Sequence, residues 1–324
     1  MMNPGEMIKD ILAKRDSIQN VFFVACGGSL VEFYPPKYFM DAESKHCGAF
    51  LYSGKEFVCA APASLGENSL VLLCSHSGKT PEVLEAAGLA KERGAVVITY
   101  AGVAGTPVNQ AGDYHIVYGD RTEEGSHYGD SPVLLSLRLM AELLAVTEDY
   151  PYLDKVMDGI SKIDTVIYNA MDQVSERAKI WGKACERENM MYILGSGPAF
   201  GNVYGFAICS MMEMQWQHAA YIHSAEYFHG PFEVTDKNTA YVVLESNGPA
   251  RCMDERAIRF LKRYGAKYEV VDAKELGADI IDEKVVDYFT PLMFYKVMCV
   301  YREELAKLRN HPLSTRRYMG KVAY

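Results

Sequence analysis

Three short stretches of this chain recur in the same order about 170 residues later, and that repetition limits the fold more than any other feature. VFFVACGG at 21–28 returns as MYILGSGP at 191–198, an offset of 170. VLLCS at 71–75 returns as VVLES at 242–246, and KERGA at 91–95 as KRYGA at 262–266, both offset by 171. A strand–loop–helix–strand unit has been duplicated.

Within each copy, short apolar runs alternate with amphipathic ones. In the first, Val21–Cys26, Leu70–Cys74, Ala95–Tyr100 and Tyr114–Tyr118 read as strands, with a shorter one inside Phe50–Phe57. Helices open at Pro81 and run over Ser131–Thr147. In the second, Met190–Leu194, Thr239–Glu245 and Lys267–Val271 read as strands, and Phe200–His218, Arg251–Tyr264 and Pro291–Leu308 as helices. Ala219–Pro231 reads as a loop. The alternation predicts an α/β fold, with parallel sheets covered on both faces by helices. At 324 residues the chain exceeds a typical single core. The acidic, proline-containing stretch Glu148–Asp154 is the expected linker between domains 1–150 and 151–324.

Composition narrows the function. A net charge of −9 argues against a nucleic-acid or acidic-membrane partner. No run approaches the ~20 apolar residues of a membrane helix. The start, MMNPGEMIKDILAKRD, carries acids early and lacks an apolar core, so no secretory signal is expected. Eight cysteines without a C-x-x-C pair fit a reduced, cytoplasmic protein. Cys26, Cys59, Cys74 and Cys209 lie in apolar surroundings and read as small core residues.

The stretch LVLLCSHSGKTPE at 70–82 carries the strongest ligand signal. Ser75, His76, Ser77, Gly78, Lys79 and Thr80 stand between a strand's C-terminal end and a helix that Pro81 opens. Free N–H groups and the helix dipole make such a place an anion site. One hydroxyl would be enough for a cap, whereas three favour a bound phosphate. Gly27, Gly28 and Ser29 close the preceding strand, and their small size lets backbone approach a ligand. The second copy has Ser246-Asn247-Gly248-Pro249 instead, so one phosphate site per chain is expected.

In the second half, Met211–Pro231 is the richest stretch. Glu213 lies on an otherwise apolar helix. Its carboxylate is either on the exposed face or desolvated beside a pocket, where a raised pKa would suit proton transfer. Glu226 and His229 follow in a loop ending in Gly230-Pro231; His229 reads equally as a catalyst or a structural hydrogen-bonder. No H-E-x-x-H spacing is present, so no metal is expected. GSGPAFG at 195–201 misses the dinucleotide spacing by one residue, and no cofactor is expected.

ACGGS at 25–29, SHSGKT at 75–80 and AEYFHGP at 225–231, in this order in a duplicated α/β chain, resemble the sugar isomerase (SIS) family. The MEMQW and AIRFLKR helices and the RRYMG tail extend the similarity over nearly the whole chain. Within the family the chain is most similar to the bacterial fructosamine-6-phosphate deglycases, and is related to the isomerase half of glucosamine-6-phosphate synthase. The resemblance implies two SIS domains, each with a five-stranded parallel sheet, in a homodimer or higher oligomer. It implies that Ser75, His76, Ser77 and Thr80, with Ser29 and its glycines, hold a sugar 6-phosphate. Glu213 matches the family's proton-shuttling glutamate, and His229 a histidine that relatives contribute across the subunit interface.

Three departures from the synthase favour deglycation. Ser210 stands where it has a lysine, three residues before the glutamate. Its C-terminal lysine aligns only loosely with Lys321 in RRYMGKVAY. No glutamine-hydrolysing segment precedes the first repeat, so no ammonia supply is expected. The expected reaction is hydrolysis of a ketoamine 6-phosphate, such as fructoselysine 6-phosphate, to an aldose 6-phosphate and a free amino acid. A phosphosugar aldose–ketose isomerase and a non-catalytic sugar-phosphate sensor are the alternatives.

Overall fold

The computed structural model describes residues 2–119, 127–265 and 267–323. Two compact units run Met1–Ser161 and Lys162–Tyr324, the division falling inside the 33-residue helix Leu153–Cys185.

In the first unit five strands, β1 (Asn20–Ala25), β2 (Gly48–Ser53), β3 (Ser69–Cys74), β4 (Val96–Ala101) and β5 (Tyr114–Val117), form one parallel sheet in the order β2-β1-β3-β4-β5. β3 and β4 are buried along their whole length, as their unbroken apolar sequences require. Phe22, Val24, Val71, Leu73 and Val97 build one face of the core. Against them lie Val83, Ala86, Ala87 and Ala90 of the helix Pro81–Glu92, whose small side chains allow close approach. β1 and β3 pair in register, Ala25 opposite Cys74, so the loops that follow leave neighbouring strand ends.

In the second unit β6 (Met190–Gly195), β7 (His218–His223), β8 (Ala240–Glu245) and β9 (Lys267–Asp272) form a parallel sheet ordered β7-β6-β8-β9. This repeats the first order without its last strand. The expectation of five strands in each sheet is therefore corrected to five and four among the described residues. After β9 the chain enters short 3-10 turns, Ala278–Ile280 and Val286–Tyr288, before the helix Thr290–Leu308. Asp287, in the second turn, is drawn to the amides of Asn247 and Gly248. The segment thus covers the strand ends instead of extending the edge.

Two further expectations change. The helix expected over 200–218 is α-helical at Phe200–Gly205, π-helical over Phe206–Met214, and then stops. Part of the expected loop is β7, a half-exposed edge strand whose two alanines and two terminal histidines weaken the strand signal of Tyr221 and Ile222. Cys74 is buried and Cys26 and Cys209 partly so, but Cys59 is exposed at the end of the helix Gly54–Cys59. Among the described residues no helix is long and apolar enough to cross a membrane.

Candidate functional site

The order β2-β1-β3-β4-β5 reverses direction between β1 and β3, and ligands of open parallel sheets bind outside the strand ends at such a crossing. Gly27–Ser29 leaves β1 there and Ser75–Thr80 leaves β3. Gly27 holds φ +54°, accessible to glycine at little cost. Ser75 is buried, and its Oγ lies 2.7 Å from Thr80 Oγ1 and 3.5 Å from Ser77 Oγ. The Lys79 amide donates to Ser77 Oγ at 3.3 Å. Gly78 turns the chain at φ +64°, and its amide donates to the Ser75 carbonyl at 2.9 Å. A Cβ on Gly78 would lie 2.1 Å from Thr106 Oγ1, so the position requires glycine for space as well as for φ.

Thr80 is the N-cap of Pro81–Glu92, yet no side chain caps that helix. Its hydroxyl is turned to Ser75 instead. Three hydroxyls and the uncapped end of a 12-residue helix therefore converge, an arrangement that favours a phosphate. His76, exposed at the rim, has Nδ1 3.1 Å from Tyr118 Oη. Tyr118 was not a candidate from sequence; its only sequence signal is an aromatic at a strand's end.

The matching crossing in the second unit, between β6 and β8, is occupied by the protein's own acids. Asp254, 0% exposed, accepts from Ser196 Oγ at 2.7 Å and Ser224 Oγ at 2.6 Å through Oδ1. Through Oδ2 it accepts from the Ser246 amide at 3.0 Å and hydroxyl at 2.7 Å. Asp287 takes the amide of Gly248 at 2.9 Å and that of Asn247 at 3.3 Å. Burial raises the Asp287 pKa, and these amide donors oppose the rise.

Glu213 sits near the end of the π-helix Phe206–Met214; such helices are rare and concentrate at functional sites. It is neither on the open face nor desolvated alone. Its Oε1 lies 2.6 Å from Arg316 Nη2, and the two side chains are 23% and 21% exposed. Arg316 Nη1 donates to the carbonyls of Leu313 at 2.7 Å and Thr315 at 3.0 Å. Lys321 Nζ donates to the Arg316 carbonyl at 2.5 Å. The C-terminal segment thus reaches the candidate carboxylate through Arg316, which sequence reasoning missed because 103 residues separate the pair. Cys209, four residues before Glu213, is pushed up to about 11, first by burial and then by the Glu213 charge. It stays a thiol and is a poor nucleophile.

Trp216, Gln215 and Gln217 grip the same segment. Trp216 meets His311 edge to face, ring centroids 4.7 Å apart at an interplanar angle of 70°, and Arg317 lies 4.3 Å over its ring. Gln215 donates to the His311 carbonyl at 3.1 Å, and Arg309 to Gln217 Oε1 at 2.5 Å. His229 and Glu226 lie exposed around the 3-10 turn Glu226–Phe228, the His229 amide donating to the Glu226 carbonyl at 2.9 Å. Buried Tyr227 anchors that turn through Thr235 Oγ1 at 2.5 Å. Among the described residues no group of three His, Cys, Asp or Glu could hold a metal ion.

No family model matches the chain. It is 41% identical over 314 residues to the fructosamine deglycase FrlB of Bacillus subtilis, covering 96% of this chain and 94% of that one. It is 26% identical to the fructoselysine 6-phosphate deglycase of Escherichia coli K12, over 97% of this chain and 88% of the relative. A crystal structure of a candidate phosphosugar isomerase from Salmonella typhimurium LT2 superposes with a TM-score of 0.96 at 42% identity, covering 99% of this chain and 96% of that one. With identity at this level along nearly its whole length, and two parallel sheets in tandem, the chain belongs to the fructosamine deglycase family of sugar-isomerase (SIS) proteins.

Proposed function

We propose that this protein hydrolyses a 6-phosphorylated ketoamine, such as fructoselysine 6-phosphate, to an aldose 6-phosphate and a free amino acid. The observation that carries the reading is the kinship with fructosamine deglycases along 96% of the chain. The open hydroxyl turn Ser75–Thr80 supports its phosphate half, with the Ser77 and Thr80 hydroxyls and nearby amides as donors. Gly27, Gly28, Ser29 and His76 complete that role.

Glu213 is assigned the proton transfers. As a base it takes a proton from C1 of the open-chain ketoamine while the C2 carbonyl oxygen gains one, leaving a C1=C2 enaminol. The same carboxyl then returns a proton to C2, and the electron pair on nitrogen forms the C1=N iminium. Water adds at C1, the C1–N bond breaks toward nitrogen, and the amino acid departs as the C1 aldehyde forms. Binding energy from the phosphate orients the reacting carbons, which is how a remote group raises turnover. His229 opens the sugar ring; its exposure supports a role across the interface of a homodimer. Glu226 and Lys321 are secondary candidates. Free cysteines support a reducing, cytoplasmic setting.

Glu213→Gln tests the reading. Release of free amine from a ketoamine 6-phosphate is expected to fall by about 10²–10⁴-fold, with the affinity for glucose 6-phosphate unchanged. Turnover near that of the wild type in this variant rules out Glu213 as the proton carrier. Interconversion of sugar phosphates without amine release would make the protein an isomerase instead.

A further inference from the structure

We propose that Arg316 is the positioning residue of the candidate catalytic carboxylate, and that Trp216 is the cleat that secures the segment delivering it. The proposal rests on the assignment of proton transfer to Glu213. A carboxylate that must take a proton at one carbon and return it at the next has to keep one oxygen aimed at the substrate. Arg316 engages Oε1 alone among the described contacts, at 2.6 Å, and leaves Oε2 for the proton. A guanidinium suits this task because it never gives up its own proton, so it cannot compete in the transfer. Arg316 is itself fixed, since Nη1 is spent on the Leu313 and Thr315 carbonyls. The side chain is thus held by the turn that carries it, and Lys321 donates to the Arg316 carbonyl.

The second observation is independent of the ion pair. Trp216 adopts φ +49° just past the end of the π-helix, where the Gln217 amide returns to the Met211 carbonyl at 3.0 Å. Helices commonly end with a left-handed residue at that place, and it is usually glycine. A bulky aromatic there is strained, and Trp216 is not buried in compensation, being 40% exposed. Its contacts explain the choice: the ring meets both His311 and Arg317 of the C-terminal segment. With Gln215 on the His311 carbonyl and Gln217 on Arg309, residues 213–217 hold the stretch 309–317 at every position except 214. The ordering of that stretch and the aim of Glu213 are one event.

Steady-state kinetics of amine release in Arg316→Ala, Arg316→Lys and Trp216→Gly test this, alongside melting temperature and glucose 6-phosphate affinity. Arg316→Ala is expected to lower kcat by about 10²-fold, with KM and phosphate affinity within about twofold of wild type. Arg316→Lys should recover about a tenth of the wild-type kcat or more, since it keeps charge but loses the fork. Trp216→Gly relieves the strained φ, so its melting temperature should hold or rise while kcat falls by about tenfold. A normal kcat in Arg316→Ala with an inactive Glu213→Gln overturns the proposal and leaves the assignment of Glu213 standing. Activity in both removes that assignment as well. A Trp216→Gly variant that loses kcat and melting temperature together makes Trp216 ordinary packing and overturns the cleat.

Discussion

At the crossing between β1 and β3 the hydroxyls of Ser75, Ser77 and Thr80 face one another, whereas at the crossing between β6 and β8 those of Ser196, Ser224 and Ser246 all bond the carboxylate of Asp254. The two places descend from one repeated unit and share a strand order. In the first, a helix N-terminus is left without a side-chain cap. The second helix, Arg251–Tyr264, also lacks a side-chain cap, but there Asp254 and Asp287 take the amides of Ser246, Asn247 and Gly248 in the turn before it. An anion-binding turn can thus be kept for a ligand or closed by a resident carboxylate. The duplication supplied both arrangements: the closed turn holds the fold, and the open one is the turn proposed to take the sugar phosphate.

The sharpest way to break this comparison is to put the same methyl group in both turns. Gly78→Ala drives a Cβ to 2.1 Å from Thr106 Oγ1 at φ +64°, and Gly248→Ala drives one to 2.2 Å from Asp287 Oδ2. Each should destabilise by about 2–4 kcal/mol in chemical denaturation. Only Gly78→Ala should also abolish stabilisation by added glucose 6-phosphate. Equal losses of ligand response in the two variants would mean both turns bind.

Asp254→Ala comes next. It strips partners from three buried hydroxyls and an amide, at a cost of about 2–3 kcal/mol. KM for the ketoamine phosphate should not move, because the carboxylate holds only its own unit together. A large change in KM with little loss of stability would turn the closed crossing into a second working site.

The smallest effect is one of pH. Glu245 ends β8 beside Asp272, with Arg251 2.9 Å away and Glu255 and Asp254 near. Burial, and then the Asp272 charge, raise it from 4.5 to about 7, against the pull of Arg251. The folded chain therefore holds a proton that the unfolded chain releases between about pH 4.5 and 7, and stability falls as pH rises through that window. Asp272 runs the other way: Arg251 lowers its pKa despite burial, so its contribution is lost only as pH falls below its ordinary 3.8. Glu245→Gln should flatten the decline between pH 4.5 and 7, as read from denaturation midpoints. An unchanged slope would place the titrating group elsewhere.

What was legible in sequence follows the same divide. β1 and β3 are buried runs that lead into glycines or hydroxyls, so strand and ligand signals coincide there, and β4 is a buried run of the same kind. The repeat carried the layout into the second unit, but it could not show that Asp254, eight residues past Ser246, folds back into the turn. β7 was read as loop because a half-exposed edge strand lacks a continuous apolar run. Among the described residues the second sheet has no fifth strand; after β9 the chain runs through short 3-10 turns in which Asp287 takes the amides of Asn247 and Gly248. Glu213 stood out as an acid on an apolar helix. Its partner Arg316 did not, because an arginine in a polar tail carries no signal until the fold brings the two together.

The central claim is that one turn per chain, Ser75–Thr80, takes the sugar phosphate. Calorimetric titration of the intact protein with glucose 6-phosphate tests it most directly, with Ser77→Ala and Ser246→Ala as the paired variants. One site per chain is predicted, weakened about tenfold by Ser77→Ala and untouched by Ser246→Ala. Two sites per chain, or wild-type affinity in Ser77→Ala, would contradict the account.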